Sequence, residues 1–469
     1  MPLEPTDSAE LAETTADSSM VTLGFMHAAG LQQRLIAEFI GSYAMLLSVF
    51  VVIAARSRSL FDPVALDLGR YATLGLALFV AVSIFDGTSA HFNPAVSLAH
   101  ALARKLAWHD FAAYSLVQTV ASFLAAISAT LLVGGPTRRV LPNAARVSSG
   151  RAFLYEFVAT VLLVAIYFAT EHELRSVRPF FVGAAGICAA LTIGRFTTLG
   201  LNPARTIGAA LWNRFGSTTW IFVVAPLLAG FVVGLVIRFA PTGALSFSQA
   251  LVLRGVGDFF GTFLTLFLGL AGIRAVGGIV GYGIYYLGPP TLLLTGSLLL
   301  RSRTYFNPAV TIASAIARRI RPVEAVVLLS AQITGAVLAV NMLRAWLQGD
   351  SRLVIPITPI RRITTVRLFV FEVIASTIVL VVALLHKHQI LGPAAVAVTT
   401  FAVGASLGGF GGSKTNVGWA LATATGWEHT TEPRHLVWLV GGPLLSAVMV
   451  GMFLRRSRAL PITGQMDFA

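Results

Sequence analysis

The sequence predicts an all-α integral membrane protein of two tandem units, each with six transmembrane helices and two re-entrant half-helices that form an inverted repeat. Three observations lead to this prediction. The composition is far too apolar for a soluble protein, a set of sequence landmarks recurs at a constant spacing, and the tripeptide Asn-Pro-Ala occurs in each copy of that repeat. The chemistry of these landmarks then limits what the protein can do.

The composition indicates a chain that lies mostly in a membrane. Of its 469 residues, 56% are hydrophobic and 12% are charged, and the mean hydropathy is +0.79. Ordinary soluble domains carry about 25% charged residues. About 20 consecutive apolar residues cross a bilayer as a helix, and runs of that length occur at 34–54, 218–240 and 434–454. The sequence is therefore that of a multi-pass membrane protein.

The charge distribution predicts membrane lipid as a partner and no nucleic acid. The net charge is +14, but the basic residues lie singly or in small clusters between apolar spans, as at 318–321 and 455–458. Such clusters are typical of contacts with anionic lipid headgroups. The one cysteine, Cys188, cannot form a disulfide within the chain or a cysteine metal site. Residues 1–28 are polar, lack the features of a secretory signal and are predicted to be a disordered tail.

The chain is a tandem duplication. Residues 92–97 recur as residues 306–311 with one change, a spacing of 306 − 92 = 214. The same spacing separates two further pairs, Gln118 with Gln332 and Asn202 with Asn416. The predicted organisation is a tail at 1–28, unit 1 at 29–240, a linker at 241–248, unit 2 at 249–456 and a tail at 457–469.

Twelve apolar spans are predicted, six in each unit. In unit 1 they lie at about 33–54, 71–87, 109–133, 151–171, 179–195 and 218–239. In unit 2 they lie at about 250–273, 276–299, 322–346, 365–386, 391–410 and 434–455. One Asn-Pro-Ala segment follows the second span of unit 1 and another follows the fifth. Because three spans separate the two segments, they enter the membrane from opposite faces, which predicts an inverted repeat.

Each Asn-Pro-Ala is predicted to begin a short helix. Asn is among the preferred N-cap residues, and Pro fits the first helical position because its missing N–H would be unpaired there. The apolar stretches that follow, 95–106 and 204–212, are too short to span a bilayer. Two half-helices from opposite faces would meet with their N-termini near the midplane, and irregular backbone at that depth must be buried or line a water-filled cavity.

These half-helix starts predict a pore that accepts neutral solutes. The positive ends of two helix dipoles would repel cations and protons. The asparagine amides would offer hydrogen-bond donors to a passing oxygen. The predicted pore residues are Asn93, Pro94, Ala95, Asn202, Pro203, Ala204, Asn307, Pro308, Ala309 and Asn416.

Seven motifs follow one another along the chain, four in unit 1 and three in unit 2. In unit 1 they lie at 37–42 (AEFIGS), 90–96 (AHFNPAV), 200–205 (GLNPAR) and 220–226 (WIF with Pro226); in unit 2 they lie at 257–262 (GDFFGT), 306–311 (FNPAVT) and 331–336 (AQITGA). Together they resemble the motifs of the aquaporin, or major intrinsic protein, family, over residues 33–456. The resemblance implies six tilted helices and two half-helices around each pore, a multi-pass protein of the cell membrane, and no cofactor. It also implies assemblies of four pores, which a homodimer of this chain would supply as a pseudo-tetramer.

Acidic and amide side chains inside the apolar spans have two interpretations. They are Glu38, Gln118, Glu156, Asp258, Gln332 and Glu372. Ionisable groups in a membrane are costly and usually face the protein interior. The carboxylates could carry protons or bind ions, or they could accept hydrogen bonds from the unpaired N–H groups of the half-helix loops. The family resemblance favours the second, structural role, and the glutamines are interpreted in the same way.

The resemblance also implies a four-residue selectivity filter in unit 1. Its members are Leu74, Ala190, Leu199 and Arg205, with Thr73 replacing Leu74 if the preceding loop is not shortened. Water-selective members usually have His at the position of Ala190, so this filter is expected to be wider and more apolar, and to pass water or glycerol-sized polyols. Thr206 stands where glycerol facilitators usually have Asp, which argues against a strict glycerol facilitator.

The filter of unit 2 departs from the family pattern. Its second motif reads Asn416-Val417-Gly418-Trp419, so Pro-Ala is lost and an indole replaces the guanidinium. The predicted filter positions are Leu287, Gly404, Ser413 and Trp419. The ring could plug the pore, or it could form one wall of an altered filter beside the small residues. Unit 2 is predicted to be closed or much slower than unit 1.

The predicted function is a passive membrane channel for water, small neutral solutes, or both, conducting mainly through unit 1. One alternative is a structural membrane protein with both pores shut; intact Asn93, Asn202 and Arg205 argue against it for unit 1. A second is a secondary transporter, which also uses inverted repeats and broken helices but needs an ion or substrate site at the midplane. The sequence shows no metal-ligand spacing, nucleophile motif or phosphate loop, so an enzyme is not predicted.

Overall fold

A computed structural model of the chain gives the arrangement of its helices. The structure describes residues 29–56, 63–134, 140–144, 147–171, 175–240, 246–276, 305–346, 365–385, 395–396, 398–400, 402–403, 416–418, 420–421 and 433–457. All the regular structure in this part of the chain is helical. Predicted span 276–299 is described only at residue 276, and span 391–410 only at 395–396, 398–400 and 402–403. The filter positions Leu287, Gly404, Ser413 and Trp419 lie outside the described residues.

The described part of unit 1 contains eight α-helices in the predicted order. They are α1 Leu31–Arg56, α2 Pro63–Phe85, α3 Pro94–Leu102, α4 Trp108–Val133, α5 Ser149–Ala169, α6 Arg178–Thr197, α7 Pro203–Asn213 and α8 Ile221–Arg238. The described helices of unit 2 are α9 Phe247–Val276, α10 Pro308–Ile316, α11 Pro322–Trp346, α12 Thr365–Leu385 and α13 Pro433–Arg456. Short helices α3, α7 and α10 each begin directly after an Asn, so the predicted all-α membrane fold is confirmed for the described chain.

The long helices have the length and composition of transmembrane segments. Eight described helices are long and apolar enough to cross a membrane. Large apolar side chains point outward along them, including Leu116, Leu131, Val236 and Val252, all more than 60% exposed. In a lipid bilayer these apolar side chains would contact hydrocarbon. The backbone can also lie there, because a helix pairs its own N–H and C=O groups.

The contacts within unit 1 follow an inverted repeat. Helix α1 packs on α2 and α4, and in the second half α5 packs on α6 and α8 in the same way. The half-helices are exchanged between the halves, because α3 packs on α8 and α7 packs on α4. Each half therefore supplies the groove that holds the other half's short helix.

Glycines let the half-helices approach those grooves. A Cβ atom at Gly230 on α8 would overlap the carbonyl oxygen of Ala95 on α3, and one at Gly208 on α7 would overlap Ser122 on α4. Backbone therefore packs directly on backbone or on a small side chain. This close approach holds both half-helices in the middle of the unit.

Half-helix α3 is shorter than predicted. The apolar pattern indicates a helix as far as Leu106, but α3 ends at Leu102. Arg104 adopts a left-handed conformation, with φ 61°, and the N–H groups of Lys105 and Leu106 both bond to the carbonyl of His100. This C-terminal turn pairs a carbonyl that a helix end would otherwise leave without a partner. The helix therefore ends here, and the residues up to Leu106 are not helical.

The two units pack against each other. Helix α9 of unit 2 contacts α6 of unit 1. The rings of Tyr155 on α5 and Phe267 on α9 lie 6.2 Å apart, and Phe263 stacks on Phe267 at 5.6 Å. One hydrophobic core includes residues of both units. Unit 1 therefore receives the first helix of unit 2 on the face formed by its fourth and fifth spanning helices.

Candidate functional site

Asparagines cap both half-helices of unit 1. Asn93 Oδ1 accepts a hydrogen bond from the N–H of Ala95 at 2.9 Å. Asn202 Oδ1 accepts from the N–H of Ala204 at 2.9 Å and from that of Arg205 at 3.3 Å. Pro94 and Pro203 occupy the first helical positions, where a missing N–H costs nothing. The tripeptide thus starts each helix by local chemistry alone.

The two caps are joined by a reciprocal pair of hydrogen bonds. Asn93 Nδ2 donates to the carbonyl oxygen of Leu201 at 2.9 Å, and Asn202 Nδ2 donates to the carbonyl oxygen of Phe92 at 2.8 Å. Each asparagine therefore binds the backbone carbonyl of the residue just before the other asparagine. The two half-helix N-termini face each other within one hydrogen-bonded unit.

The left-handed backbone conformation of the residue before each asparagine makes this reciprocal pair of hydrogen bonds possible. Phe92 and Leu201 have φ angles of 50° and 51°, a region that costs a residue with a Cβ about 1 kcal/mol or more. The turn directs the carbonyl of the residue before each Asn away from its own helix and toward the opposite motif. The surrounding contacts must hold this conformation, since the residues themselves disfavour it.

Two buried glutamates hold the loops that lead into the motifs. Glu38 accepts from the N–H groups of His91 and Phe92, each at 2.7 Å, from Ser89 Oγ at 2.5 Å and from Gln118 Nε2 at 2.8 Å. Both carboxylate oxygens are used. Four donors around a fully buried carboxylate are the arrangement that makes its burial tolerable.

Glu156 does the same for the second motif. It accepts from the N–H of Gly200 at 2.9 Å, from that of Leu201 at 2.7 Å and from Thr197 Oγ1 at 2.6 Å. Glu38 on α1 and Glu156 on α5 are therefore equivalent in the inverted repeat. Both carboxylates are fully buried and bound to donors from the loops and helices around them.

Asp258, the counterpart of Glu38 in unit 2, accepts hydrogen bonds from the described residues through one carboxylate oxygen. Asp258 Oδ1 accepts from the N–H groups of Tyr305 and Phe306 at 3.0 and 2.7 Å and from Gln332 Nε2 at 2.9 Å. Asp258 Oδ2 is buried without a hydrogen-bond partner among the described residues. Glu372 is also buried, and the loop before Asn416 that it would serve lies outside the described chain.

Arg205 lies buried just beyond the second cap. It is 2% exposed, and its Nη1 donates to the carbonyl oxygen of Leu199. Its Nη2 lies 3.4 Å from the carbonyl oxygen of Val140 and 3.5 Å from that of Thr198. The guanidinium carbon stands 5.8 Å from the centre of the Phe50 ring. Backbone carbonyls thus fix a positive charge in the protein interior.

The other filter positions of unit 1 share one apolar core. Leu74 on α2, Ala190 on α6 and Leu199 before the second cap are all buried and belong to the same hydrophobic cluster. Helices α2 and α6 are in close contact. Thr73, the alternative second-span position, is half-buried. The side chains of Leu74, Ala190 and Leu199 supply no hydrogen-bonding group, so Arg205 and the loop carbonyls carry the polarity here.

Comparison with known proteins gives the family. The model of the family described as major intrinsic protein matches residues 26–237 and again residues 247–454. The chain belongs to the major intrinsic protein family. It is a tandem duplication of the family's unit, and the family consists of multi-pass membrane channels for water or small solutes.

Individual relatives match about one unit each. Aquaporin NIP2-1 of Arabidopsis thaliana is 29% identical over 221 residues, which are 45% of this chain and 76% of the relative. Aquaporin NIP3-1 of Zea mays is 31% identical over 207 residues, 42% of this chain and 67% of the relative. Among solved structures, the aquaglyceroporin from Plasmodium falciparum matches at 19% identity with a TM-score of 0.42, over 45% of this chain and 97% of that chain.

Unit 2 keeps much of the family's geometry at its altered motif. Asn416 Oδ1 accepts from the N–H of Gly418 at 3.0 Å, and Asn416 Nδ2 donates to the carbonyl oxygen of Phe306 at 2.9 Å. Asn307 caps α10 by accepting from Ala309 N at 3.0 Å. The cap therefore survives the loss of Pro-Ala, because it depends on the asparagine side chain and on backbone N–H groups.

A polar cluster beside the first half-helix of unit 1 is not anticipated by the family motifs. The rings of His91 and His100 lie 4.3 Å apart. His100 stacks on Phe168 at 4.3 Å, and His91 meets Tyr114 edge-on at 5.5 Å. The sequence signal for the pair was a histidine at a buried position of an apolar half-helix, and only the fold brings it to His91.

Three ion pairs surround these rings. Arg34 on α1 pairs with Asp110 on α4 at 2.9 Å, Arg178 on α6 pairs with Asp86 after α2 at 2.9 Å, and Lys105 after α3 pairs with Glu171 after α5. Each pair joins two different elements at one end of the unit. The Arg34 pair recurs in unit 2 as Arg254 with Glu324, whose residues follow the repeat.

Proposed function

We propose that this chain is a passive channel for water and small neutral solutes of the size of glycerol, conducting mainly through unit 1. The observation that carries the proposal is the reciprocal pair of hydrogen bonds between Asn93 and Asn202 and the opposing loops. It brings two helix N-termini together inside the protein, where a solute would meet amide donors and two positive dipole ends.

The hydrogen-bond inventory of the asparagines supports neutral solutes. Each Nδ2 carries two hydrogens, and one of them is committed to the opposite loop. The second has no acceptor among the described residues, so it is available to the oxygen of water or of an alcohol. The carboxamide oxygens are committed to the caps. The asparagines thus act toward a solute as donors.

The charges of unit 1 oppose cations. Arg205 is buried and bound to backbone carbonyls, and the half-helix N-termini each carry the equivalent of roughly half a positive charge. In a medium of low dielectric constant these charges repel a cation strongly. The carboxylates that could offset them, Glu38 and Glu156, are already surrounded by donors from the loops.

The apolar filter positions support solutes larger than water. Leu74, Ala190 and Leu199 offer no competing polar group, and Ala190 is the smallest side chain that still has a Cβ. A polyol could place its carbon backbone on the leucines and its hydroxyl groups toward Arg205 and the loop carbonyls. Glycerol-sized solutes are therefore included in the proposal together with water.

Unit 2 is proposed to conduct little. Trp419 takes the sequence position 214 residues after Arg205, and an indole in place of a guanidinium adds bulk and removes a fixed charge. In unit 2 the asparagine cap and the link to Phe306 remain, which supports a framework that is kept while the filter is changed. Trp419→Arg is expected to leave flux unchanged or to raise it.

The inter-unit contact supports a pseudo-tetramer. Unit 1 receives unit 2 on its α5 and α6 side, whereas unit 2 contributes its first helix α9. The interface is heterologous, so a ring of units can close when a second chain repeats it. We propose a homodimer in the plasma membrane. Native mass spectrometry of the detergent-solubilised chain tests the dimer, and fractionation of cell membranes tests the compartment.

Stopped-flow measurements on proteoliposomes test the channel. Wild type is expected to shrink faster than empty liposomes under a sucrose gradient and to reswell faster under a glycerol gradient. Asn93→Asp combined with Asn202→Asp removes both cross-linking donors and is expected to abolish this difference. Asn213→Asp, which removes a similar bond to the Ala209 carbonyl at the far end of α7, is the matched control and should conduct normally. Wild-type rates equal to those of empty liposomes would support a protein with both pores shut.

A further inference from the structure

Two imidazoles beside the first half-helix of unit 1 have a role that the asparagine motifs do not explain. His91 lies two residues before Asn93, and His100 lies in the last turn of α3. Their ring centres are 4.3 Å apart and their planes are tilted by 34°. The hydrogen bonds around the two rings fix which nitrogen of each carries a hydrogen.

His91 keeps its hydrogen on Nε2. Its Nδ1 lies 3.1 Å from Ser97 Oγ. Gln118 Nε2, which donates to Glu38 at 2.8 Å, also lies 3.4 Å from Ser97 Oγ, so this hydroxyl accepts from one side. The hydroxyl hydrogen of Ser97 has His91 Nδ1 as its acceptor among the described residues. Because a buried hydroxyl hydrogen needs an acceptor, we assign a lone pair to Nδ1 and the hydrogen to Nε2, which makes Nε2–H a donor.

His100 has the opposite tautomer. Its Nδ1 lies 2.8 Å from the carbonyl oxygen of Val96. A carbonyl oxygen accepts hydrogen bonds and cannot donate them, so His100 Nδ1 carries the hydrogen. The Nε2 atom of His100 is then a lone pair, which makes it an acceptor.

The two remaining nitrogens are open to a solute. Neither Nε2 atom has a hydrogen-bond partner among the described residues, and neither is sealed from water. The two rings, whose centres are 4.3 Å apart, thus offer one donor, His91 Nε2–H, and one acceptor, His100 Nε2. A hydroxyl group is the chemical complement of such a pair, because it accepts through its oxygen and donates through its hydrogen.

We propose that His91 and His100 form a second binding station for hydroxylated solutes in unit 1, a proposal that rests on the channel function proposed above. The station takes one hydroxyl group of a polyol, or a water molecule, between the two Nε2 atoms. It lies on the side of the first half-helix, away from Arg205, which follows the second cap. A solute with several hydroxyl groups is favoured over one that can only donate or only accept.

The surroundings keep the station neutral and in place. Apart from Glu38, which accepts from the backbone N–H of His91, the charged groups around the two imidazoles are Arg34, Lys105 and Arg178 with their partners Asp110, Glu171 and Asp86. Each cation therefore has its own carboxylate. Phe168 covers one face of His100 and Tyr114 meets His91 edge-on, so neither ring can turn without losing an aromatic contact.

Unit 2 lacks the station. The positions 214 residues after His91 and His100 are Tyr305 and Ser314. Ser314 is fully buried, and its hydroxyl has no partner among the described residues. A phenol and a buried serine do not form the same donor and acceptor pair. The difference lies in the same unit that has lost the arginine of its filter.

Substitution of His100 tests the station by its effect on solute selectivity. His100→Phe keeps a flat ring against Phe168 and removes the acceptor. Glycerol permeability of proteoliposomes is expected to fall roughly five-fold, which is the change that loss of one net hydrogen bond produces. Water permeability is expected to fall by a smaller factor, less than about half as large. His100→Gln retains an acceptor and should recover part of the glycerol flux. His109→Phe, an exposed histidine at the start of α4, is the control and should change neither permeability.

Histidine ¹⁵N NMR separates failure of the station from failure of the channel. In membranes containing ¹⁵N-histidine-labelled protein, the signals of His91 and His100, assigned by their loss in His91→Gln and His100→Phe, should report Nε2–H and Nδ1–H tautomers respectively. Glycerol should shift the His100 Nε2 signal. If glycerol shifts this signal but wild type shows no flux, the result would support the binding station and contradict the channel function. Normal flux with no shift and an unchanged glycerol-to-water ratio in His100→Phe would overturn the station alone.

Discussion

Asn93 and Asn202 each donate a side-chain hydrogen bond to the residue that precedes the other, Asn93 to Leu201 at 2.9 Å and Asn202 to Phe92 at 2.8 Å. The two half-helices are therefore positioned by one another as well as by the helices around them. Substitution of either asparagine by alanine would remove a helix cap and a link between the two halves together, whereas substitution by aspartate keeps a capping oxygen and removes the link. The centre of unit 1 is consequently one structural unit made from residues 109 positions apart (202 − 93).

Glu38 is expected to contribute to folding and to leave solute choice unaffected. In Glu38→Gln one acceptor oxygen becomes an NH₂ group that faces donors, so buried N–H groups of the loop lose their partner. Such a loss costs about 1–3 kcal/mol. The melting temperature in detergent should fall clearly, and the remaining folded protein should keep its glycerol-to-water permeability ratio.

The matched control for that experiment is Glu171→Gln. Glu171 is paired with Lys105 at the end of the unit, where the two side chains are 22% and 32% exposed. Exposed ion pairs contribute about 0–1 kcal/mol, so little change in melting temperature is expected. Equal effects of the two substitutions would show that Glu38 does not hold the loop as described.

Replacing the carboxylate by an amide should destabilise the protein less at Asp258 in unit 2 than at Glu38. All three donors to Asp258 use Oδ1, whereas the donors to Glu38 use both oxygens. Asp258→Asn can keep Oδ1 for the three donors and place its NH₂ group at the position of Oδ2. The loss in melting temperature should therefore be smaller than for Glu38→Gln, as measured by thermal unfolding of both variants side by side.

Arg205 is expected to exclude cations. Arg205→Leu removes the buried guanidinium and its bonds to the loop carbonyls, so a barrier to positive charge is lost. Proteoliposomes loaded with a pH-sensitive dye should show a proton or small-cation leak that wild type lacks. Arg205→Lys keeps the charge and should leak less than Arg205→Leu. A leak that is the same in wild type and in Arg205→Leu would contradict a barrier at this residue.

Leu74 is expected to limit the passage of polyols. Leu74→Ala opens the apolar side of the filter, so glycerol permeability should rise several-fold and water permeability should rise less. Truncating a buried leucine costs about 2–5 kcal/mol of stability. Leu78→Ala, one turn further along α2 and equally buried, should destabilise the protein similarly without changing selectivity. A rise in glycerol flux in both variants would show that loosened packing, and not the filter, is responsible.

Much of this fold follows from local rules that the sequence displays. Asn followed by Pro begins a helix wherever the pair occurs, and the spacing of 214 residues transfers each landmark from unit 1 to unit 2. The apolar spans set the positions of ten of the twelve predicted transmembrane helices to within a few residues, except that α2 begins at Pro63 rather than near residue 71. Those features depend on neighbouring residues alone.

Other features depend on tertiary contacts and could not be predicted. The left-handed conformations of Phe92 and Leu201 are unfavourable for those residues and exist because the opposite asparagine binds the carbonyl they present. Nothing in the sequence pattern distinguishes the one oxygen of Asp258 that is used from the one that is not. The tautomers of His91 and His100 are set by Ser97 and Val96, whose distances are known only once α3 is folded.

The measurement that tests the central claim most directly compares the two units by the same substitution. Water and glycerol fluxes are measured by stopped flow for Asn93→Asp with Asn202→Asp in unit 1, and for Asn307→Asp with Asn416→Asp in unit 2, in liposomes with equal amounts of protein. The account predicts that the unit 1 pair reduces flux to the level of empty liposomes and that the unit 2 pair leaves it near wild type. Loss of flux in the unit 2 pair with normal flux in the unit 1 pair would contradict it.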